Sequence, residues 1–309
     1  MEALQNGKYF ISCDWGSSNL RLQLVDKEKL HAVAETNSAE GIASVYSNWK
    51  ATHADRFNFF KAIIDKHITN LESQSAISLG KTPLIISGMA SATIGMQEIP
   101  YKKMPFSTDG SDLEYRIIDN TIIISGARTE NDVMRGEETQ VVGVGEQVAS
   151  EGFVILPGTH SKHVVIKDRK AIGVQTFMTG ELFQLLCEKS VLSGSVIQSG
   201  DSTKYSDHFV QGVKHSLRHN FLNSIFSART NILLDKLSPE QNYFYLSGIT
   251  IGEELKNITA RHIHIIGSKI MNELYALALR VLYPNTAIIC IPAKTAIIVG
   301  QHKILQYVK

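Results

Sequence analysis

Short apolar runs broken by polar positions occupy residues 9–14, 20–26 and 30–36, with brief polar turns between them, and this pattern predicts three successive strands. Across residues 51–72 the apolar positions Phe57, Phe60, Ile63, Ile64, Ile68 and Leu71 recur near helical spacing and predict an amphipathic helix. Residues 83–87 read as a short buried strand ending in Gly88, and residues 117–125 as another. Between them residues 91–112, with Pro100, Pro105 and the turn Thr108-Asp109-Gly110-Ser111, read as a long loop or flap. Asn131-Asp132 is placed to cap a helix running through Glu137, Glu138 and Val142.

From Glu151 the order restarts, with strands predicted over 153–156, 161–167 and 171–177 and a helix from Thr179 through Glu188. Residues 196–205 read as a polar link and 207–228 as an amphipathic helix. Residues 243–246 read as a buried strand running into Ser247-Gly248 and a helix through Leu255. A strand over 262–266 and a helix over 268–282 follow. Two passes with strands first and helices after predict a duplicated α/β chain, divided into 1–145 and 146–309. No Pro- or Ser-rich linker separates the halves, which are expected to join closely around 139–152.

Each half opens on a similar turn, Asp14-Trp-Gly16-Ser17-Ser18-Asn19-Leu-Arg21 in the first and Pro157-Gly158-Thr159-His160-Ser161-Lys162 in the second. Turns of this composition aim backbone N–H groups and hydroxyls into one concavity, which suits an oxyanion. The repetition suggests two domains facing one phosphate. Only the first copy carries an acidic residue, Asp14, where a carboxylate could hold Mg²⁺ directly or through water.

Size and charge narrow the function. The 309 residues are 43% apolar, enough for a sizeable core in each of two domains. Net charge is +1, so no overall field draws nucleic acid or anionic membrane, and a bound anion must be held locally. Cys13, Cys187 and Cys290 are far apart and lack CxxC spacing, which argues against a zinc site or disulfide framework and fits a reducing cytoplasm. The first eight residues lack a signal-peptide pattern and no apolar run is long enough to cross a bilayer, so a soluble, cytoplasmic protein is expected.

Two phosphate motifs are excluded. There is no GxxxxGK[ST], and Gly143-Val-Gly145 has Val148 where a dinucleotide-binding loop has its third glycine. His215 and His219 stand one helical turn apart but among basic residues with no nearby carboxylate, a poor start for a metal site. In Met134-Arg135-Gly136-Glu137-Glu138-Thr139-Gln140 the paired carboxylates suit either a solvated first helical turn or a ligand cleft. Ser247-Gly248-Ile-Thr-Ile-Gly252 could let backbone approach a ligand closely, a weak signal alone.

With these motifs together, the chain resembles the 2-dehydro-3-deoxygalactonokinase family, within the superfamily of acetate and sugar kinases, heat-shock chaperones and actin (ASKHA). The resemblance rests on the Asp14 hairpin, Ser87-Gly88-Met89, Asp132-Val-Met-Arg135-Gly-Glu137-Glu138-Thr-Gln140, Leu156-Pro-Gly158-Thr159-His160-Ser-Lys162 and Thr176-Phe-Met-Thr-Gly-Glu-Leu-Phe183. It implies a duplicated ribonuclease H-like fold, two lobes around an ATP cleft, and Mg²⁺-assisted phosphorylation of 2-dehydro-3-deoxy-D-galactonate at its terminal hydroxyl. It further implies Asp14 for Mg²⁺, Gly16, Ser17, Ser18 and Asn19 at the γ-phosphate, Gly158, Thr159 and His160 at the β-phosphate, and Ser247, Gly248 and Gly252 at adenosine. The sugar pocket would be lined by Ser87, Gly88 and Met89. Arg135, Arg21 and Lys162 are candidates for the substrate carboxylate, and Glu137 or Glu138 for the general base. The expected partners are a small sugar acid and, as one candidate assembly, a second copy of the chain. Competing readings are a kinase of the same fold for another sugar or sugar acid, a phosphohydrolase, and a non-catalytic sensor. Residues 1–8 leave little room for the DNA-binding segment a sensor would add.

Overall fold

The computed structural model describes residues 7–148, 150–200 and 203–308. The expectations for the chain start, and parts of those for 139–152 and 196–205, fall outside them. Among the described residues two compact units form, one of residues 1–151, 165–174 and 293–309, the other of 152–164 and 175–292. This differs from a single division at 145/146, because the last helix and the outer end of one hairpin return to the first unit.

The first unit is built on a six-stranded sheet in the order β3-β2-β1-β4-β8-β7. The predicted opening meander is β1 (Tyr9–Trp15), β2 (Leu20–Asp26) and β3 (His31–Ser38), paired antiparallel in sequence. Alternate residues Ile11, Cys13 and Trp15 of β1 and Leu20, Leu22 and Leu24 of β2 enter one core, the period-two signature of a sheet face. Helix α1 (Ile42–Lys50) escapes the pattern reading, whereas α2 (Arg56–Ser75) is the expected amphipathic helix. Asp55 starts α2 by accepting from the Asn58 N–H, and Phe60, Ile64 and Leu71 complete the core, with Phe60 5.6 Å from the Trp15 ring.

Strand β4 (Leu84–Gly88) is buried throughout and lies parallel between β1 and β8 (Thr121–Ile124), which explains its unbroken apolar run. The single strand expected over 117–125 is a hairpin of β7 (Tyr115–Ile118) and β8, turned at Asp119 with φ 55°. The segment read as a flap holds the short strands β5 (Lys102–Lys103) and β6 (Phe106–Ser107) and buries Met96, Ile99 and Phe106, so much of it is core. After β9 (Ala127–Arg128) and β10 (Val133–Met134), helix α3 (Glu137–Val144) starts at Gly136, later than an Asn131-Asp132 cap would place it.

In the second unit β11 (Glu151–Leu156), β12 (Ser161–Lys167) and β13 (Lys170–Phe177) match the expected strands. The outer ends of β12 and β13 belong to the first unit, where Lys170 and Ala171 pair with Ser107 and Phe106 of β6. Helix α4 (Thr179–Lys189) follows, and the helix expected over 207–228 is two, α5 (Ser206–Ser216) and α6 (Phe221–Leu233), restarted by the Asn220 cap. The run read as a strand at 243–246 lies inside α7 (Pro239–Leu255). A capping box fixes that helix: Ser238 Oγ accepts from Gln241 N, and Gln241 Oε1 accepts from Ser238 N at 2.8 Å. Strand β14 (His262–Gly267) and α8 (Lys269–Leu282) are as predicted. Strand β15 (Ala287–Pro292), parallel to β14, and α9 (Ala293–Tyr307) are additional.

Candidate active site

The ends of β1 and β4 converge with the start of α3 in the first unit. Asp14 pairs with Ser87 across β1–β4 and with Arg21 across β1–β2, so strand register alone places three candidates side by side. Gly88, with φ 93°, passes so close to β1 that a Cβ there would stand 2.6 Å from the Trp15 carbonyl oxygen. Gly136, with φ 106°, would stand 3.1 Å from the Gly88 Cα. These approaches bring Arg135, Glu137 and Glu138 to the Asp14–Ser87 corner. The turn after Asp14 closes by a bond from Gly16 N to Asn19 O, while Ser17, Ser18 and Asn19 remain exposed.

Electrostatics separates the acids. Burial pushes the Asp14 carboxyl up, Arg21 at 3.9 Å pulls it back, and the nearby Glu137 charge pushes it up again. Glu138 is fully buried and pushed up to about 8, by burial first and by Glu137 second. Its oxygens accept from Gly136 N at 2.8 and 3.0 Å, and Glu137 accepts from Arg135 N at 2.8 Å.

The two candidate arginines differ in occupation. Arg21 faces Asp14, Asn37 and Glu35, so carboxylates already surround it. Arg135 lies 4.0 Å over the Tyr101 ring and donates to Ser91 Oγ at 2.6 Å. Stacking holds its guanidinium plane without neutralising it, which leaves charge for an incoming carboxylate. Two supporting residues escape sequence reading. Tyr101 lies in the segment read as a flap. Gln301 of α9, fully buried, donates to Cys13 O at 3.0 Å and Ser87 Oγ at 2.9 Å, tying the two strand ends together.

The second unit carries the other turn. Gly158, Thr159 and His160 are exposed, and His160 meets Glu181 at 2.5 Å. Lys162 is buried and donates to His160 O at 2.8 Å, so it braces this turn from within. Gly158, Thr159 and Ser247 line one cavity of about 370 Å³, walled by Phe183, Tyr243 and Tyr275. Gly248 and Gly252 are absent from its lining. Their faces press on α5, where a Cβ would come within 2.1 Å of Phe209 O and 2.4 Å of Ser216 Oγ respectively. The close approach expected for a ligand at these two glycines is therefore taken up by a helix. Behind the turn, Glu254 accepts from Ser161 Oγ and Tyr275 Oη, each at 2.7 Å, and meets His163 Nε2 at 2.9 Å. No sequence motif points to this buried network.

A model of the 2-keto-3-deoxy-galactonokinase family matches residues 14–304. The chain belongs to that family. A Rhizobium meliloti (strain 1021) protein named a probable 2-dehydro-3-deoxygalactonokinase is 31% identical over 287 residues, covering 88% of this chain and 89% of that one. The Escherichia coli (strain K12) 2-dehydro-3-deoxygalactonokinase is 30% identical over 256 residues, 81% of this chain and 80% of the relative. A crystal structure from Sinorhizobium meliloti, of a protein given the same enzyme name, superposes with a TM-score of 0.76 at 27% identity, covering 95% of this chain and 97% of that one. The fold is that of the ASKHA superfamily, and membership in this family makes the chain a phosphotransferase of that superfamily. Among the described residues no helix is long and apolar enough to cross a membrane.

In this galactonokinase-family chain the buried acid has a consequence for stability. Glu138 keeps its proton in the folded state up to about pH 8 but loses it near its ordinary 4.5 when unfolded. Between those values the folded state binds more protons, so the contribution of Glu138 is whole below about 4.5 and declines as pH rises towards about 8. Glu138→Gln is expected to raise the thermal midpoint at pH 8–9 and leave it nearly unchanged at pH 5, read from melting curves at both. An equal shift at the two values would refute the buried-proton account.

Proposed function

We propose that the chain uses Mg-ATP to phosphorylate the terminal hydroxyl of 2-dehydro-3-deoxy-D-galactonate, giving the 6-phospho product in cytoplasmic galactonate breakdown. The observation that carries this reading is the convergence of Asp14, Ser87, Arg135 and Glu137 at one corner of the first unit in a galactonokinase-family chain. The donor set fits a magnesium ion held mainly by nucleotide phosphates and water, which asks one carboxylate of the protein, and Asp14 offers one beside an exposed hydroxyl-rich turn. Bound there, the ion would neutralise phosphate charge.

The remaining roles belong to the chain's own groups. Gly16, Ser17, Ser18 and Asn19 offer N–H and hydroxyl donors to the transferring phosphoryl group, and Gly158, Thr159 and His160 offer a second set. The aromatic cavity beside Ser247 has walls suited to a nucleoside. Arg135, stacked and fixed, suits the substrate carboxylate better than Arg21, which already faces two acids. Glu137 suits the base better than Glu138, which is fully buried and holds its proton at neutral pH. The substrate oxygen attacks the γ-phosphorus, the bond to the ADP oxygen breaks, and Glu137 takes the hydroxyl proton.

The test is ADP release with Mg-ATP and 2-dehydro-3-deoxy-D-galactonate, beside its gluconate epimer, a neutral sugar and no acceptor. Turnover that needs the galactonate-derived acid supports the proposal. Equal turnover on a neutral sugar removes the role given to Arg135, and ADP release without acceptor points to hydrolysis. Tight nucleotide binding with no turnover on any acceptor points to a sensor.

A further inference from the structure

Helix α1 begins on a glycine, where helices more often begin on Ser, Thr, Asp or Asn. Gly41 is the residue at its N-terminal cap and has no side chain to accept from the first helical turn. Its backbone, with φ −70° and ψ 161°, is one that any residue adopts, so conformational freedom does not explain the glycine. Contact does. Gly41 is buried against the turn that follows Asp14, and a Cβ there would lie 2.3 Å from Ser17 O and Ser18 C and 2.4 Å from Ser18 Cα, all of them backbone atoms.

This approach lets the turn replace a capping side chain. Ile42 N donates to Gly16 O at 3.0 Å and Ala43 N to Ser17 O at 3.1 Å, so carbonyls of the turn satisfy the first N–H groups of α1. In a planar trans peptide the C=O and the N–H of the next residue point in opposite directions. With the Gly16 and Ser17 carbonyls held on α1, the N–H groups of Ser17 and Ser18 face away from it, on the exposed side of the turn. Among the described residues neither of these N–H groups meets a partner. Two successive N–H groups aimed one way suit a small oxyanion.

The segment that imposes this direction is itself tied down. Trp15 Nε1, in the core, donates to Glu40 O at 2.8 Å. The Glu40 carboxylate meets Nε2 of the buried His67 on α2 at 2.9 Å, and His67 Nδ1 meets Thr36 Oγ1 of β3 at 2.8 Å. A larger residue at position 41 therefore displaces the exposed turn and not the helix.

We propose that Gly41 and the start of α1 are the positioning element of the first turn, holding the Ser17 and Ser18 N–H groups in the geometry that grips the transferring phosphoryl group. That role rests on the phosphate binding given to this turn in the proposed function. It makes residues 40–43 responsible for discrimination of ATP from ADP, since only the triphosphate carries the group these donors face.

Titration calorimetry of the full chain with Mg-ATP and with Mg-ADP, beside steady-state kinetics and melting curves, tests this. Wild type is expected to bind ATP more tightly than ADP. Gly41→Ala is expected to weaken ATP at least ~10-fold, towards the ADP value, and to lower kcat roughly 100-fold, with ADP affinity and the KM for the sugar acid unchanged. Should Gly41→Ala lose its fold, Ala43→Pro is expected to give the same split. Ala43 is exposed, and a proline in the first helical turn breaks no helix bond, so the donor lost is the one to Ser17 O. Gly80→Ala, with no atom within 4 Å of its new carbon, is the control and keeps both affinities. A folded variant with wild-type ATP affinity overturns the positioning role and leaves the kinase reading standing. So does a wild type that binds ADP as tightly as ATP. Parallel loss of ATP, ADP and acid binding, or loss of fold in both variants, makes the segment a structural one and also overturns the role. Selective loss of ATP affinity in a protein that phosphorylates no acceptor keeps the role while the kinase reading falls.

Discussion

Asp14→Asn is expected to lower acceptor-dependent ADP release by about two to three orders of magnitude while the thermal midpoint stays level or rises slightly. The backbone at this position is held from three sides. Asp14 pairs with Arg21 in β2 and Ser87 in β4, and Gln301 holds the neighbouring Cys13 carbonyl. Asparagine has nearly the same shape, so none of those contacts changes. Burial already works against the charge of Asp14, and removing it costs the fold little. Arg21 keeps Glu35 as a second acidic neighbour. What disappears is the Asp14 carboxylate beside the first turn, and with it the proposed anchor for a magnesium ion, which would neutralise phosphate charge there. Steady-state kinetics beside a melting curve reads both halves of the expectation. Unimpaired turnover would remove Asp14 from the mechanism, whereas a collapsed melting curve would make it a structural residue.

The parts of this site that can be read from sequence are those set by short-range chemistry. Both turns announce themselves by composition, and the strands beside them by alternation, so local pattern alone locates Asp14 and Thr159. Misreadings arise where local preference and tertiary context part company. The run 243–246, Tyr-Phe-Tyr-Leu, favours a strand locally, but the capping box at Ser238 commits it to α7. Residues 117–125 look like one strand because the turn that folds them back, Asp119-Asn120, is short. Gln301 is beyond any pattern, since it acts on Ser87 and Cys13 from 214 and 288 positions away. The division into units is hidden for the same reason, as α9 follows the second unit in sequence yet packs in the first.

The largest stability effect is expected from one added carbon at Gly248. A Cβ there would lie 2.1 Å from Phe209 O and 3.0 Å from Val213 N, both backbone atoms of α5 that no side-chain rotation can move aside. Gly212 meets α7 reciprocally, since a Cβ there would lie 2.0 Å from Tyr245 O, so the two helices approach through backbone from both sides of the crossing. Separating them would open the core around Phe209, Phe244 and Tyr275. Gly248→Ala is therefore expected to cost about 3 kcal/mol and lower the melting midpoint by roughly 10 °C. Gly194→Ala, with no atom within 4 Å of its new carbon, is the control and leaves the midpoint unchanged. The first unit contains the same device, since a Cβ at Gly143 would lie 1.9 Å from Ala296 O and one at Gly300 1.9 Å from Thr139 O, so α3 and α9 cross as closely as α5 and α7. Gly300→Ala should therefore be as damaging as Gly248→Ala, although no nucleotide role is expected of Gly300. If Gly248→Ala instead melts like wild type and only its nucleotide affinity falls, the glycine serves a ligand and the helix-packing account is wrong.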